Sequence, residues 1–102
     1  MIRPMDTMFA SAVSGLQANA VRFGTAAFNI VNANTDGFKA RAVSASSVVP
    51  GGLSTSVSET SLPADAAREF VSMIQAEAGY SANAKVIDTA SRITGALLDV
   101  LA

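Results

Sequence analysis

Phe28-Asn29-Ile30-Val31-Asn32-Ala33-Asn34-Thr35-Asp36-Gly37-Phe38-Lys39 marks a change of pattern in the chain. Before it, apolar residues recur with a helical period; after it, Ser and Thr take over. Within it, three asparagines precede an Asp-Gly pair. Asn tolerates the left-handed backbone that ends helices, and Gly adopts it without steric cost. The stretch reads as a helix end running into a turn and then an extended segment. Taken locally, Asn29, Asn32 and Asn34 are end caps.

Working back from that end, Phe9, Val13, Leu16, Ala20, Phe23, Ala27 and Ile30 alternate spacings of 4 and 3. This is an a/d heptad seam and predicts one long helix over about 4–34. Pro4 suits the first helical position, and Asp6 suits the positive end of the dipole. Gly15 and Gly24 lie inside the helix at about 1 kcal/mol each relative to Ala, either as points of close helix approach or merely tolerated. Gly79 and Gly95 pose the same choice further on.

Working forward, residues 35–62 form a turn and a Ser/Gly-rich connector. Residues 39–43, 46–49 and 53–57 can each be extended, and Pro50-Gly51-Gly52 signals a turn. A short β-hairpin is compatible with this, but its apolar content is thin and a lone hairpin is marginal in water. A second helix is expected over about 63–101, opened by Pro63 and Asp65. Met73, Ala76, Tyr80, Asn83, Ile87, Ala90, Thr94, Leu97 and Leu101 carry its 3/4 spacing. Phe70, Ile74, Val86, Ile93 and Val100 flank that line and widen the apolar face. Asp88 and Arg92 form an i,i+4 pair elsewhere on the helix. The fold class expected is all-α, a single domain over 1–102. Its two helices form an antiparallel, coiled-coil-like pair. Two helices cannot cover so wide a stripe, so the pair is expected to oligomerise into a bundle.

Composition narrows the functions. The chain has 102 residues, half of them apolar, 15% charged, with net charge −1 and neither Cys nor His. Mean hydropathy is +0.38 and pI about 5.1. An acidic chain lacks the basic surface that nucleic acid requires. No run approaches the roughly 20 apolar residues that span a bilayer, so no membrane insertion is expected. Met1–Ala20 has no apolar core of about 7–15 residues, so no cleaved signal is expected either. Thiol and imidazole chemistry are ruled out by composition. Glu69 and Glu77 lie about two turns apart without a base, metal-ligand cluster or phosphate loop beside them, and read as solubilising charges. Tyr80 lies on the apolar seam and reads as a packing residue. Lys85 has no partner set for Schiff-base chemistry. No enzyme activity, metal or cofactor is expected.

The 28–39 stretch also resembles the N-terminal signature of flagellar rod and hook proteins, approximately Asn-Asn-Ile-Ala-Asn-Ala-Asn-Thr-x-Gly-Phe/Tyr-Lys. Asn29, Ile30, Asn32, Ala33, Asn34, Thr35, Gly37, Phe38 and Lys39 match it. Phe28 and Val31 depart from it. Residues 69–87 resemble the C-terminal signature of the same family, roughly Glu-Met/Phe-Val-x-Met-Ile-x-Ala-Gln-Arg-Ala-Tyr-x-Ala-Asn-Ala-Lys-Val-Ile. Asn83 and Lys85 are among the matching positions.

The resemblance implies a structural subunit of the flagellar rod or hook. In that family the terminal helices pair, pack into the inner tube of the basal body and travel through the flagellar export apparatus. The partners implied are further copies of the chain, hence a homo-oligomer in isolation, and other axial proteins. Asn29, Asn32 and Asn34 would then bond across subunits. Phe9, Val13, Leu16, Phe23, Ile30, Phe70, Met73, Tyr80, Ile87, Leu97 and Leu101 would form the assembly interface. Where the family has Gln-Arg-Ala, this chain has Glu77-Ala78-Gly79, which removes a planar, multi-donor Arg contact. The rival reading is an adaptor or export-chaperone-like bundle that self-associates outside the flagellum.

Overall fold

The left-handed residue at the end of the first helix is Gly37, at φ +74°, and no asparagine shares that conformation. The computed structural model describes residues 4–48 and 51–101. Helix α1 spans Pro4–Val31, strand β1 Arg41–Ser47, strand β2 Leu53–Glu59 and helix α2 Ala66–Leu101. Pro50, in the expected turn, lies outside the described residues.

Both helices are shorter than the periodicity implies, each by three residues at the connector end. At α1, the Asn32 side chain donates to Phe28 O at 3.0 Å. Ala33 N then bonds Ile30 O and Thr35 N bonds Asn32 O, so the chain tightens into i→i+3 turns after Val31. At α2, Asp65 is the N-cap: its Oδ1 accepts from Ala67 N at 3.1 Å, and its carbonyl accepts from Glu69 N. A capping carboxylate starts the helix more firmly than Pro63 does.

The two helices, about 42 and 54 Å long at 1.5 Å per residue, run antiparallel. Gly15 lies against Asn83 and Asn19 against Gly79. Continuing that register places Pro4 opposite about Thr94, so Gly95–Leu101 extend beyond it. The Cα atoms span 63 × 24 × 13 Å, little more than one helix thick. So thin a body encloses no large apolar side chain. Every buried apolar residue among those described is an alanine: Ala12, Ala18, Ala26, Ala40, Ala76 and Ala90. A buried methyl contributes about 0.8 kcal/mol, against about 1.5–3 for a buried Leu or Phe. The pair is thinly held.

The connector holds the short β-hairpin that its extended runs and turn signal allow, and it makes the chain mostly helical rather than purely so. β1 and β2 form an antiparallel hairpin in unbroken register from Arg41↔Glu59 to Ser47↔Leu53. Val48 N closes it on Gly52 O, and Gly52 takes φ +123°. A hairpin so poor in apolar residues is ordered because its anchors to α1 are polar. At one end Asn29 holds Arg41; at the other, Ser14 Oγ accepts from Leu53 N at 3.0 Å while donating to Ser11 O. Thr60 ties the base, its N and Oγ1 both donating to Ala40 O at 2.8 Å.

Candidate assembly surface

Asn29 is the one fully buried polar side chain among the described residues. Its Nδ2 donates to Arg41 O and its Oδ1 accepts from Arg41 N, both at 2.9 Å. A carboxamide has the donor and acceptor of a peptide unit, so Asn29 does for Arg41 what a neighbouring strand would do. The first asparagine of the 28–39 stretch therefore bonds within its own chain. Around it, the Phe28 and Phe38 rings meet at a tilt, centroids 5.6 Å apart, and the Arg41 guanidinium lies 4.3 Å above the Phe28 ring. Asn34 is exposed and without a hydrogen bond; Thr35 Oγ1 reaches Asn32 Oδ1 only at 3.5 Å.

Between the helices a second polar device appears twice. Asn19 Nδ2 donates to Gly15 O at 3.0 Å, and Asn83 Nδ2 donates to Gly79 O at 2.9 Å. Each amide, bonded one turn back on its own helix, lies over the bare backbone of the opposite glycine. A Cβ on Gly15 would sit 2.7 Å from Asn83 Oδ1, and one on Gly79 would sit 2.8 Å from the Asn19 amide. Gly24 and Gly95 have nothing within 4 Å. Two of the four helix glycines are thus close contacts and two are not. The signal was present as a repeat, Gly15-Leu-Gln-Ala-Asn19-Ala and Gly79-Tyr-Ser-Ala-Asn83-Ala. Its antiparallel overlay predicts the reciprocal clasp.

The line of contact between the helices bears on the expected interface. On α2 the buried Ala76 and Ala90, with Asn83 between them, fall on the expected line. On α1, Ala12, Gly15, Asn19 and Ala26 each lie one residue before a member of it. The helix is thus turned by about 100°, with small residues facing α2 and large ones set to the flank. Phe9, Leu16, Ile30, Met73 and Ile87 are half-buried. Val13, Phe23, Phe70, Tyr80, Leu97 and Leu101 are exposed, from 40% for Phe23 to 82% for Leu101. Phe23 and Tyr80 line an open hollow together with Ala76 and Gly24. Met8, Val86 and Ile93 line another around Ala90, with Lys85 at its edge. Leu98 and Val100 add to the bare apolar end of α2.

The charged groups offer little chemistry. Arg92 and Asp88 pair at 3.2 Å on the exposed side of α2, worth a few tenths of a kcal/mol. No cluster of carboxylates that could hold a metal occurs among the described residues, and no helix is long and apolar enough to cross a membrane.

Two protein-family models match the chain. Residues 9–39 match the family described as Flagella basal body rod protein. Residues 64–100 match Flagellar basal body rod FlgEFG protein C-terminal. Together they take in about two thirds of the chain, in order, and leave the hairpin outside both. No curated protein matches it.

Proposed function

We propose, for a chain that belongs to the flagellar rod and hook family, a structural role in the axial part of the basal body. Domains of this family are structural rather than enzymatic. The observation that carries the reading is where the apolar side chains lie. The helices pair through Ala, Gly and Asn, leaving Phe23, Phe70, Tyr80, Leu97 and Leu101 uncovered at their flanks and end. Exposed apolar surface on this scale marks contact with other chains.

In this reading the two helices associate with further copies and with other axial proteins, closing the apolar flanks into a tube wall. Phe9, Val13, Leu16, Ile30, Met73 and Ile87 pack at the margins of the same contacts. The subunit reaches its place through the flagellar export apparatus.

An immunoblot of purified hook–basal bodies from the source bacterium tests the role. Several copies per particle are expected, and clean absence with abundant cytoplasmic protein would end the reading. Charge substitution at Leu16 or Ile87 tests the surface. Each is expected to abolish assembly, and full assembly by both variants would remove these residues from it.

A further inference from the structure

Hydrogen bonding along an antiparallel strand alternates from side to side. In β1 the phase is set at the start, because Arg41 turns its N–H and C=O outward to Asn29. Its neighbour Ala40 bonds inward, to Thr60 and Leu62. Val43, Ala45 and Ser47 therefore also turn outward. On β2, Leu53 turns outward to Ser14, so Thr55, Val57 and Glu59 follow. None of these six makes a hydrogen bond on its outward side among the described residues. The hairpin thus keeps two open edges, one on each strand.

Folded proteins blunt such edges with Lys, Pro, inward charges or bulges. Neither strand uses any of these: the register is unbroken, and no charge occurs between Arg41 and Glu59. The face bearing Ala42, Ser44, Ser46, Ser54, Ser56 and Ser58 is small and exposed throughout. Beside β1 lies a cleft shared with α2, lined by Arg22, Val43, Glu69, Ser72 and Gln75.

We propose that the hairpin is an interaction surface for a second copy of this chain, with the β1 edge of one copy pairing with the β2 edge of the next. The proposal rests on the axial reading and deepens it. The two edges differ, so their pairing is heterologous and repeats along a stack rather than closing after two copies. β1 and β2 run in opposite directions, so copies pointing the same way extend one antiparallel sheet. Asn29 already occupies the outward groups of Arg41, so the incoming strand begins at Val43. Pairing Val43 with the partner's Val57, and Ala45 with the partner's Thr55, brings the partner's Glu59 toward Arg41. Neither of these charges is ion-paired in its own chain. Pairing like edges about a two-fold axis adds no counter-charge beyond the one each already faces across its own hairpin.

Two single-cysteine chains, Ser44→Cys and Ser56→Cys, test this. In the proposed ladder these positions form a non-hydrogen-bonded pair with Cα atoms about 4.5 Å apart, within disulfide reach. Mixed and oxidised, the two chains are expected to give a disulfide dimer that neither gives alone. Adding Ala45→Pro to the Ser44→Cys chain, which removes an outward N–H and leaves the inner ladder intact, should abolish the dimer. Equal dimer from either chain alone would overturn the proposal in favour of like edges. Self-association by sedimentation without mixed dimer would overturn it and leave the axial reading standing. A chain that stays monomeric would overturn it too, with the basal-body immunoblot deciding the axial reading separately.

Discussion

Between α1 and α2 the contacts are made by Ala12, Gly15, Asn19, Ala76, Gly79, Asn83 and Ala90; on the outer flanks stand Phe23, Phe70, Tyr80, Leu97 and Leu101. In a self-sufficient helix pair the large residues would lie inside. Here small side chains let the backbones approach, and two amide–glycine contacts set the register. Many of the large apolar side chains stay exposed. The contrast teaches that the chain's own fold is a matter of fit and hydrogen bonding, while its large apolar side chains stand outward.

That contrast can be broken first at Asn29. Asn29→Leu keeps the branched heavy-atom skeleton but strands the N–H and C=O of Arg41, and should cost about 3 kcal/mol of stability. A urea midpoint unchanged from the parent chain would show the inner polar contacts to be incidental. A smaller effect, about 2 kcal/mol, is expected from Ala90→Leu, which forces a branched side chain into the closed seam. Its counterpart, Leu97→Ala on the uncovered end, should alter unfolding by less than about 0.5 kcal/mol while lowering the oligomer mass seen in sedimentation. If Leu97→Ala instead destabilised the monomer as much as Ala90→Leu, inside and outside would not differ as described.

The glycines sharpen the comparison within a single residue type. Gly24→Ala should stabilise by about 1 kcal/mol from helix propensity alone. Gly79→Ala has the same propensity gain but displaces Asn19 from Gly15 O, so thermal melts should show little or no gain. Equal stabilisation at both sites would dissolve the clasp. The smallest effect belongs to Asp88→Asn, a loss of about 0.4 kcal/mol that should vanish in about 1 M salt. Both groups of that pair face solvent.

Much of this was legible because helical periodicity is a local property. The 3/4 spacing located both helices, and the α2 line through Ala76, Asn83 and Ala90 lies on the contact. The α1 line was displaced by one residue because large side chains dominate a hydrophobic pattern, and such a pattern does not say which chain will cover them. The hairpin was legible only as extended runs about a turn signal. Its order depends on Asn29, Ser14 and Thr60, polar residues 12, 39 and 20 positions from their partners, and such pairings leave no periodic trace. Asn29 itself stood out in the stretch around the helix end, but as a local cap or a cross-subunit contact rather than the anchor of β1.

By itself, then, the sequence determined two long helices, the turn at Gly37, the absence of thiol and imidazole chemistry, and the resemblance of both ends to rod and hook proteins. These follow from residue type and short-range spacing. Tertiary structure alone decided which face of α1 meets α2, what Asn29 holds, and that the connector is a docked hairpin with open edges. Each of those outcomes is a competition between distant groups for one partner. Close fit of glycine backbone and buried amide settles that competition, and neither is expressed in a run of neighbouring residues.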